Sequence, residues 1–472
     1  MRKLQPPNVF VLIFSILVLV GLMTWVLPGG EYAKEAMDTA AGTKQVVLLG
    51  DDGTPIYSEV PAVRQGPWEI LKAPIRGMVE ASDVVAFILL VGGAFGVLSA
   101  TGAILAGIRW LTRVVGGRGR FFMIPVLMFT FSLGGALFGM AEEVIPFVLL
   151  TVPLAVSLRF DVTTGVAIPF IGSQAGFAAA FVNPFTLGIA KGITGQPIEE
   201  GQGYRILCWV VTTAVCAAAV SWHAFRVSRN PQHSPTPELD VRWRDEFEAP
   251  SEGEGEGLRP VHVLVLCCFA ASMVLLAVGA LQWDWYITEL SGLFIGMAVL
   301  CGLVGKLRPG QIADAFVVGA KDLVAAAVLV GVARGILVVA EDGRIIDTIL
   351  HSMAGAVEGL GPLWTTECMF GVQTVINFFV PSGSGQAALT MPVMSPLAQI
   401  VGVHQENAIL AYQFGDGFTN MIIPTNAVLV GVLSMAKMEY STWFRWMLKL
   451  QLFLFALGMV FLALSPFHSV AT

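Results

Sequence analysis

The residues best able to do chemistry in this 472-residue chain are three acids and one arginine set in apolar sequence. Glu142 and Glu143 are adjacent in a polar turn between two apolar runs, and Asp416 lies inside another long apolar run. Arg334 lies about two turns inside the apolar run 321–340. A charge at the centre of a bilayer costs about 2.5–3.5 kcal/mol even on insertion scales, so these groups are expected to be paired, protonated or solvated by a cavity.

The acids suit a positively charged group of a solute, and the arginine suits a negatively charged one. The sequence leaves two roles open for Arg334: counter-charge for a substrate carboxylate, or structural partner of Glu142, Glu143 or Asp416. Lys191 lies near the predicted end of a helix, where its ammonium group is expected to reach the membrane interface.

The composition fixes the class of protein that must position these residues. Hydrophobic residues make up 55% of the chain and charged residues only 13%, against about 25% charged in soluble domains. The chain is therefore expected to be an all-α integral membrane protein, with room for nine or ten crossings of about 20 residues each. Its net charge of −7 excludes a basic surface for nucleic acid. It carries no phosphate-binding loop, metalloprotease motif or nucleophile elbow, so an enzyme is not expected.

Two pairs of short apolar runs are each joined by a tight polar turn. The runs within 121–158 meet at the turn 139–143, and those within 363–402 meet at the turn 381–386. Adjacent glutamates or a Ser/Gly/Gln cluster suit a protein-lined cavity better than lipid. Both pairs are therefore predicted to be re-entrant hairpins.

Two further apolar runs are too long for one crossing and are interrupted. Run 162–193 contains Pro169, Gly172, Gly176 and Asn183-Pro184, and run 405–435 contains Gly415-Asp416-Gly417 and Pro424. Glycine lets the backbone leave a helix and proline removes a hydrogen-bond donor. The runs are predicted to be broken helices that are non-helical at 172–176 and 415–417.

Lysine and arginine placement predicts a multi-pass topology with the N-terminus in the cytoplasm. Residues 28–80 are then an external loop. Segment 228–260, rich in Pro, Gly, Ser and acidic residues, is a cytoplasmic linker that is expected to bury nothing.

The two sides of this linker repeat each other at offsets of 241 to 243 residues. Residues 1–227 form the first repeat, and residues 261–472 form an extra helix followed by the second repeat, with the opposite orientation. Hairpin 121–158 then faces the cytoplasm and hairpin 363–402 faces outwards. Inverted repeats with discontinuous helices are typical of secondary transporters, whose substrate and ion sites lie where the breaks meet.

The candidate site therefore consists of the hairpin tips, the breaks and Arg334. Its small hydroxyl, amide and glycine residues offer oxygen atoms and N–H groups, its acids offer charge, and a Na⁺ site near the same breaks stays an open alternative. The candidate substrate- and ion-binding residues are Gly139, Met140, Glu142, Glu143, Ser173, Gln174, Asn183, Thr186, Arg334, Ser382, Gly383, Ser384, Gln386, Asp416, Thr419, Asn420, Thr425 and Asn426.

Four stretches, 138–143, 183–186, 377–386 and 413–420, resemble the C4-dicarboxylate anaerobic carrier family, particularly its branch of basic amino-acid antiporters. The resemblance implies an elevator-type transporter of the ion-transporter superfamily, a homodimer in the bacterial inner membrane. The sodium-coupled dicarboxylate carriers of that superfamily have Ser-Asn-Thr triplets at both tips, which this chain lacks.

The sequence favours a secondary active transporter for a small carboxylate-bearing solute, an amino acid in preference. Three candidate acids against one arginine would repel a dianion unless protons or sodium ions neutralised them. A C4-dicarboxylate carrier coupled to Na⁺ or H⁺ is the alternative, and a channel is a more remote one. No cofactor is expected, and the coupling ion is left open.

Overall fold

The computed structural model describes residues 9–39, 42–50, 54–114, 119–248, 258–283, 285–355 and 360–467. The described part of the chain is mainly helical, with four short strands near its start. In chain order the elements are α1 (Val9–Met23), β1 (Gly29–Tyr32), β2 (Lys34–Thr39), β3 (Gly42–Val47), β4 (Tyr57–Val60), α2 (Pro67–Glu80), α3 (Ser82–Ala100), α4 (Ala103–Val114), α5 (Gly119–Phe138), α6 (Val148–Ser157), α7 (Val162–Ala178), α8 (Ile189–Thr194), α9 (Gln202–Arg229), α10 (Pro237–Glu248), α11 (Pro260–Gln282), α12 (Ile287–Val304), α13 (Pro309–Asp322), α14 (Val324–Asp342), α15 (Ile346–Gly355), α16 (Pro362–Phe379), α17 (Gly383–Ile400), α18 (Gln405–Asn420), α19 (Ala427–Met435) and α20 (Tyr440–Ala463).

Seven helices in the described residues are long and apolar enough to cross a bilayer. They are α3, α5, α9, α11, α12, α14 and α20. α1 is apolar as well but shorter. The expected nine or ten crossings stay a prediction.

The segment predicted as an external loop is more structured than that. Strand β1 pairs antiparallel with β4, and β2 pairs antiparallel with β3, which makes two small sheets. α2 then covers the last part of the segment. The prediction of a loop over 28–80 is therefore wrong for the strands and for α2, because alternating short strands escape a search for long apolar runs.

Two kinked helix pairs pack against each other through glycine. α2 and α3 meet at Ala81, and α13 and α14 meet at Leu323. A Cβ atom at Gly77 would lie 2.2 Å from the carbonyl oxygen of Gly331, and one at Gly319 would lie 2.2 Å from that of Gly92. The backbones therefore approach more closely than any larger residue allows, as in other membrane helix interfaces.

Both predicted hairpins fold as two helices around a short connection. α5 and α6 flank a 3-10 turn at Glu142–Phe147, and α16 and α17 flank residues 380–382. Of the predicted interruptions, Asn183-Pro184 and Pro424 lie at the breaks, whereas the glycines do not. α7 and α18 are helical through 172–176 and 415–417, and the chain leaves the α-helix at 179–188 and 421–426.

The glycines of α7 and α18 serve packing instead of chain breaks. A Cβ atom at Gly176 would lie 1.8 Å from the carbonyl oxygen of Ser132 in α5. One at Gly417 would lie 2.3 Å from the Cα atom of Ala178 in α7. The prediction that these glycines are non-helical is wrong, because a close helix neighbour also selects glycine.

The central linker is partly folded onto the rest of the protein. In α10, the side chain of Asp240 accepts a hydrogen bond from the amide of Val162 (2.8 Å), and the indole of Trp243 donates to the carbonyl of Ala436 (3.2 Å). Both side chains are buried. The expectation that segment 228–260 buries nothing is therefore wrong for α10.

Candidate functional site

The tip of the first hairpin is a left-handed turn pressed against the first break. Gly139 has a φ of +70°, and a Cβ atom there would lie 2.7 Å from Oδ1 of Asn183. Glu142 begins the 3-10 turn, and the amide of Ala141 donates to Oε2 of Glu143 (2.9 Å). Only glycine combines this φ with this contact, so the tip holds both glutamates next to the break.

The tip of the second hairpin packs against the first break and against α18. Ser382 caps the start of α17, its hydroxyl accepting from the amide of Gly385 (3.4 Å). A Cβ atom at Gly383 would lie 2.6 Å from Cγ2 of Thr186 and 2.9 Å from Oδ2 of Asp416. The hydroxyl of Tyr412 donates to the carbonyl of Gly383 (2.6 Å). The tip is thereby held between the first break and α18.

A network of amide side chains surrounds Asp416. Nδ2 of Asn420 donates to Oδ1 of Asp416 (2.9 Å), and Nδ2 of Asn377 donates to the carbonyl of Asp416 (2.9 Å). Nδ2 of Asn426 extends the network to Oδ1 of Asn420 (2.9 Å). Oδ2 of Asp416 is buried and has no hydrogen-bond partner among the described residues. The network fixes the carboxylate and leaves one of its oxygen atoms for a ligand or a proton.

Further buried oxygen atoms around the breaks also lack a protein hydrogen-bond partner in the part of the chain described. Buried polar atoms are nearly always paired, so this group offers contacts to a polar solute or a cation. The atoms are Gln174 Oε1, Thr186 Oγ1, Thr419 Oγ1 and Thr425 Oγ1.

These elements enclose a cavity of about 270 Å³, here called the central cavity. Its walls come from both hairpin tips, both breaks, the α2–α3 junction, the start of α12 and the middle of α14. The predicted residues that line it are Gly139, Glu142, Glu143, Gln174, Thr186, Arg334, Ser382, Gly383, Ser384, Asn420, Thr425 and Asn426.

The other predicted residues lie behind this lining. The hydroxyl of Ser173 donates to the carbonyl of Met140 (2.5 Å), and Asn183 caps the turn at Pro184–Gly188. Nε2 of Gln386 donates to Oε1 of Gln373 (2.7 Å). Asp416 and Thr419 are buried in α18. These residues support the walls of the cavity and do not line it.

The charged lining residues are four acids and one arginine: Glu80, Asp83, Glu142, Glu143 and Arg334. Nε of Arg334 lies 3.3 Å from Oε2 of Glu80. The alternative that Arg334 is the structural partner of Glu142, Glu143 or Asp416 is therefore wrong, because its acid is Glu80. Even counting this pair, the cavity keeps an excess of negative charge.

Sequence reasoning missed the wall formed by the α2–α3 junction and the start of α12. Glu80 and Asp83 flank the kink at Ala81, and Trp285 and Tyr286 precede α12. The rings of Tyr286 and Phe185 lie 5.2 Å apart. Two acids three residues apart beside a long apolar run were the available signal, but Glu80 is the last residue of the segment interpreted as an external loop and Asp83 lies just after it.

A buried charge cluster beside the first break was also missed. Glu406 contacts the ammonium of Lys191, and its Oε2 lies 3.0 Å from Nε of Arg205. Nη1 of Arg205 donates to Oε1 of Gln413 (2.5 Å), whose Nε2 reaches the carbonyl of Ala180 in the break (3.3 Å). Lys191 is 1% exposed. The prediction that Lys191 reaches the interface is therefore wrong.

The chain is similar to known proteins over nearly its whole length. Residues 7–466 match the family model described as C4-dicarboxylate anaerobic carrier. The chain is 36% identical to the "Putative basic amino acid antiporter YfcC" of Escherichia coli K12, over 94% of this chain and 93% of that protein. It is 28% identical to an uncharacterized protein of Haemophilus influenzae, over 97% of this chain and 96% of that one.

A solved structure, the YdaH transporter of Alcanivorax borkumensis, aligns with 98% of this chain and 100% of its own at a TM-score of 0.42 and 18% identity. The match to the family model covers nearly the whole chain. With its apolar helices, the protein is a multi-pass membrane transporter and not an enzyme. The chain belongs to the C4-dicarboxylate anaerobic carrier family.

Proposed function

We propose that the protein is a secondary active transporter for an amino acid, with a cationic amino acid as its best substrate. The observation that carries the proposal is the central cavity. There, both hairpin tips and both breaks face one space whose charged lining is four acids and one arginine. The cavity is slightly smaller than the roughly 300–1,000 Å³ of sites for drug-sized ligands, which suits a small solute.

The charge of the cavity favours an amine over a second carboxylate. Arg334 is already paired with Glu80, so Asp83, Glu142 and Glu143 have no cation of their own in the lining. An ammonium or guanidinium group neutralises them, whereas a dicarboxylate brings two further negative charges. Trp285, Tyr286 and Phe185 add aromatic faces that attract cations. The name of the Escherichia coli relative agrees with this substrate class.

The substrate carboxylate has two candidate partners in the same cavity. The first is Arg334, which exchanges Glu80 for the substrate. The second is the start of α17 at Ser382–Gly383, where free N–H groups and the helix dipole favour an anion. An α-amino acid bound between the tips then places its carboxylate on α17 and its amine near Glu142 and Glu143.

The architecture suits alternating access between two inverted repeats. α2 begins at Pro67 and α13 begins at Pro309, 242 residues later. The kinks that follow them, at Ala81 and Leu323, are also 242 residues apart. Asn183, which caps the turn at Pro184–Gly188, and Asn426, which caps α19, are 243 residues apart. We infer an elevator-type movement of the hairpins and broken helices in a homodimer of the bacterial inner membrane, with the N-terminus in the cytoplasm.

Asp416 is the best candidate for the group that couples transport to an ion. Its buried Oδ2 has no partner in the described part of the chain and lies against the second tip. A proton on this oxygen, or a Na⁺ shared with the hydroxyls of Thr419 and Thr425, neutralises the site when substrate leaves. Exchange for a second amino acid achieves the same neutralisation.

Binding by purified protein tests the proposal. L-lysine is expected to raise the unfolding temperature of the wild type in a saturable manner, and succinate is not. The Glu142→Gln/Glu143→Gln variant should fold normally and lose the response to L-lysine, while Glu59→Gln on the exposed strand β4 should keep it. Stabilisation by succinate and not by L-lysine would instead support the dicarboxylate carrier.

A further inference from the structure

A second, larger cavity lies between the small sheets and the second hairpin. It measures about 540 Å³ and is formed by the β1–β2 segment, the end of α14, the start of α15 and the first half of α17. We call it the β-side cavity. Its charged lining has both signs in equal number: Glu31, Glu341 and Asp347 against Lys34, Arg334 and Arg344.

The β-side cavity is separated from the central cavity only by a thin wall. Arg334, Leu337 and Ser382 line both cavities. Of these, Ser382 belongs to the tip of the second hairpin. The ion pair that Arg334 makes with Glu80, at 3.3 Å, is partly open to solvent, because both side chains are 34% exposed. A change of partner by Arg334 together with a shift of the tip joins the two spaces.

The charges of the β-side cavity differ in how firmly they are held. Asp347 is fixed, because it pairs with Lys34 (2.8 Å) and accepts the amide of Tyr32 (3.1 Å). Arg344 and Glu31 are 3.1 Å apart but 38% and 50% exposed. Such solvent-exposed pairs contribute little and exchange partners readily.

Glu341 completes the set as an acid that lacks an ion-pair partner among the described residues, although it lines the cavity. Because Arg334 is paired with Glu80, three acids face only Lys34 and Arg344, so a solute with one negative and two positive groups can bind without leaving a charge unpaired. Its carboxylate replaces Glu31 at Arg344, and its two cationic groups contact Glu341 and the released Glu31. A dianion would pair only with the basic residues of the cavity, and a simple cation only with the acidic ones.

We propose that the β-side cavity is a second substrate site, an antechamber that holds a cationic amino acid next to the wall formed by Arg334 and Ser382. This inference rests on the proposed function, because it takes the substrate to be an amino acid. It adds a site outside the hairpin tips and the breaks. It assigns the recognition of the amino acid there to Arg344 and Glu341.

The number of L-lysine molecules bound per chain tests the antechamber. In equilibrium dialysis of purified protein with radiolabelled L-lysine, the wild type is expected to bind two molecules per chain, with two different dissociation constants. Arg344→Gln and Glu341→Gln should each bind one molecule, in the central cavity. Glu142→Gln/Glu143→Gln should also bind one molecule, but in the β-side cavity. In liposomes, Arg344→Gln should raise the KM for L-lysine at least fivefold, while Glu59→Gln leaves it unchanged.

The outcomes separate the antechamber from the proposed function. One L-lysine per wild-type chain, lost in Glu142→Gln/Glu143→Gln, would overturn the antechamber and leave the proposed function standing. Two molecules still bound by an Arg344→Gln/Glu341→Gln variant would also overturn it. If Glu142→Gln/Glu143→Gln bound as much L-lysine as the wild type, the proposed function would be overturned instead.

Discussion

Replacing Glu406 by Gln is expected to destabilise the protein more than any surface change. Glu406 is fully buried between Lys191 and Arg205, each 1% exposed. The three groups together carry one positive charge, and the substitution leaves two positive charges in the same buried space. Lys191 keeps the carbonyls of Pro197 and Glu200 (2.8 and 2.6 Å), which satisfy its hydrogen bonds but not its charge.

The expected size follows from what an uncompensated buried charge costs. Removing one partner of a buried ion pair costs about 3–5 kcal/mol. An unfolding entropy of about 2.1 cal/mol/K per residue gives about 1 kcal/mol/K for a chain of this length. Glu406→Gln should therefore lower the unfolding temperature by about 3–5 °C.

Thermal unfolding of the purified protein in detergent measures this shift. Glu199→Gln, an exposed acid two residues from Gly201, is the control and should change the unfolding temperature by less than about 1 °C, as surface substitutions usually do. Glu406→Gln/Arg205→Gln should recover part of the loss, because it removes one of the two uncompensated cations. An unchanged unfolding temperature in Glu406→Gln would refute the reasoning that this cluster depends on charge balance.

Two further predictions concern the linker helix and the first tip. Burial raises the pKa of the Asp240 carboxyl, although its hydrogen bond from Ser234 opposes the rise. The stability that Asp240 contributes is therefore fully present below the ordinary value of about 3.9 and is lost as the pH rises through the raised pKa. As the pH rises through this range, the unfolding temperature of Asp240→Asn should fall less than that of the wild type. An equal dependence of the two unfolding temperatures on pH would contradict a raised pKa for Asp240. Gly139→Ala should lower L-lysine uptake by at least tenfold, because its Cβ atom meets Asn183 at 2.7 Å, whereas Gly192→Ala, with nothing within 4 Å of its Cβ position, should transport normally.

Much of the site could be predicted because local sequence determines hairpin tips. Paired apolar runs around Glu142–Glu143 and around Ser382–Gly383 have few foldings other than two helices joined by a polar turn. If the two halves are inverted repeats, their hairpin tips and breaks are expected to meet near the middle of the protein. The central cavity is lined by residues from both tips and both breaks.

The rest could not be predicted because it depends on contacts between distant residues. A glycine that ends a helix and a glycine that lets another helix approach look alike in sequence, which is why the prediction is wrong for Gly176 and Gly417. The partner of Lys191 is Glu406, more than 200 positions later, and that of Arg334 is Glu80, 254 positions earlier. Sequence spacing holds no signal for either pair.

Counterflow in proteoliposomes tests the central claim most directly. Vesicles loaded with unlabelled L-lysine should accumulate external radiolabelled L-lysine much faster than empty vesicles. This acceleration should disappear in Glu142→Gln/Glu143→Gln, persist in Glu59→Gln, and remain unaffected by excess succinate. Equal rates with and without internal L-lysine, or an acceleration that survives in Glu142→Gln/Glu143→Gln, would contradict the account of an amino-acid transporter whose acidic tip binds the substrate.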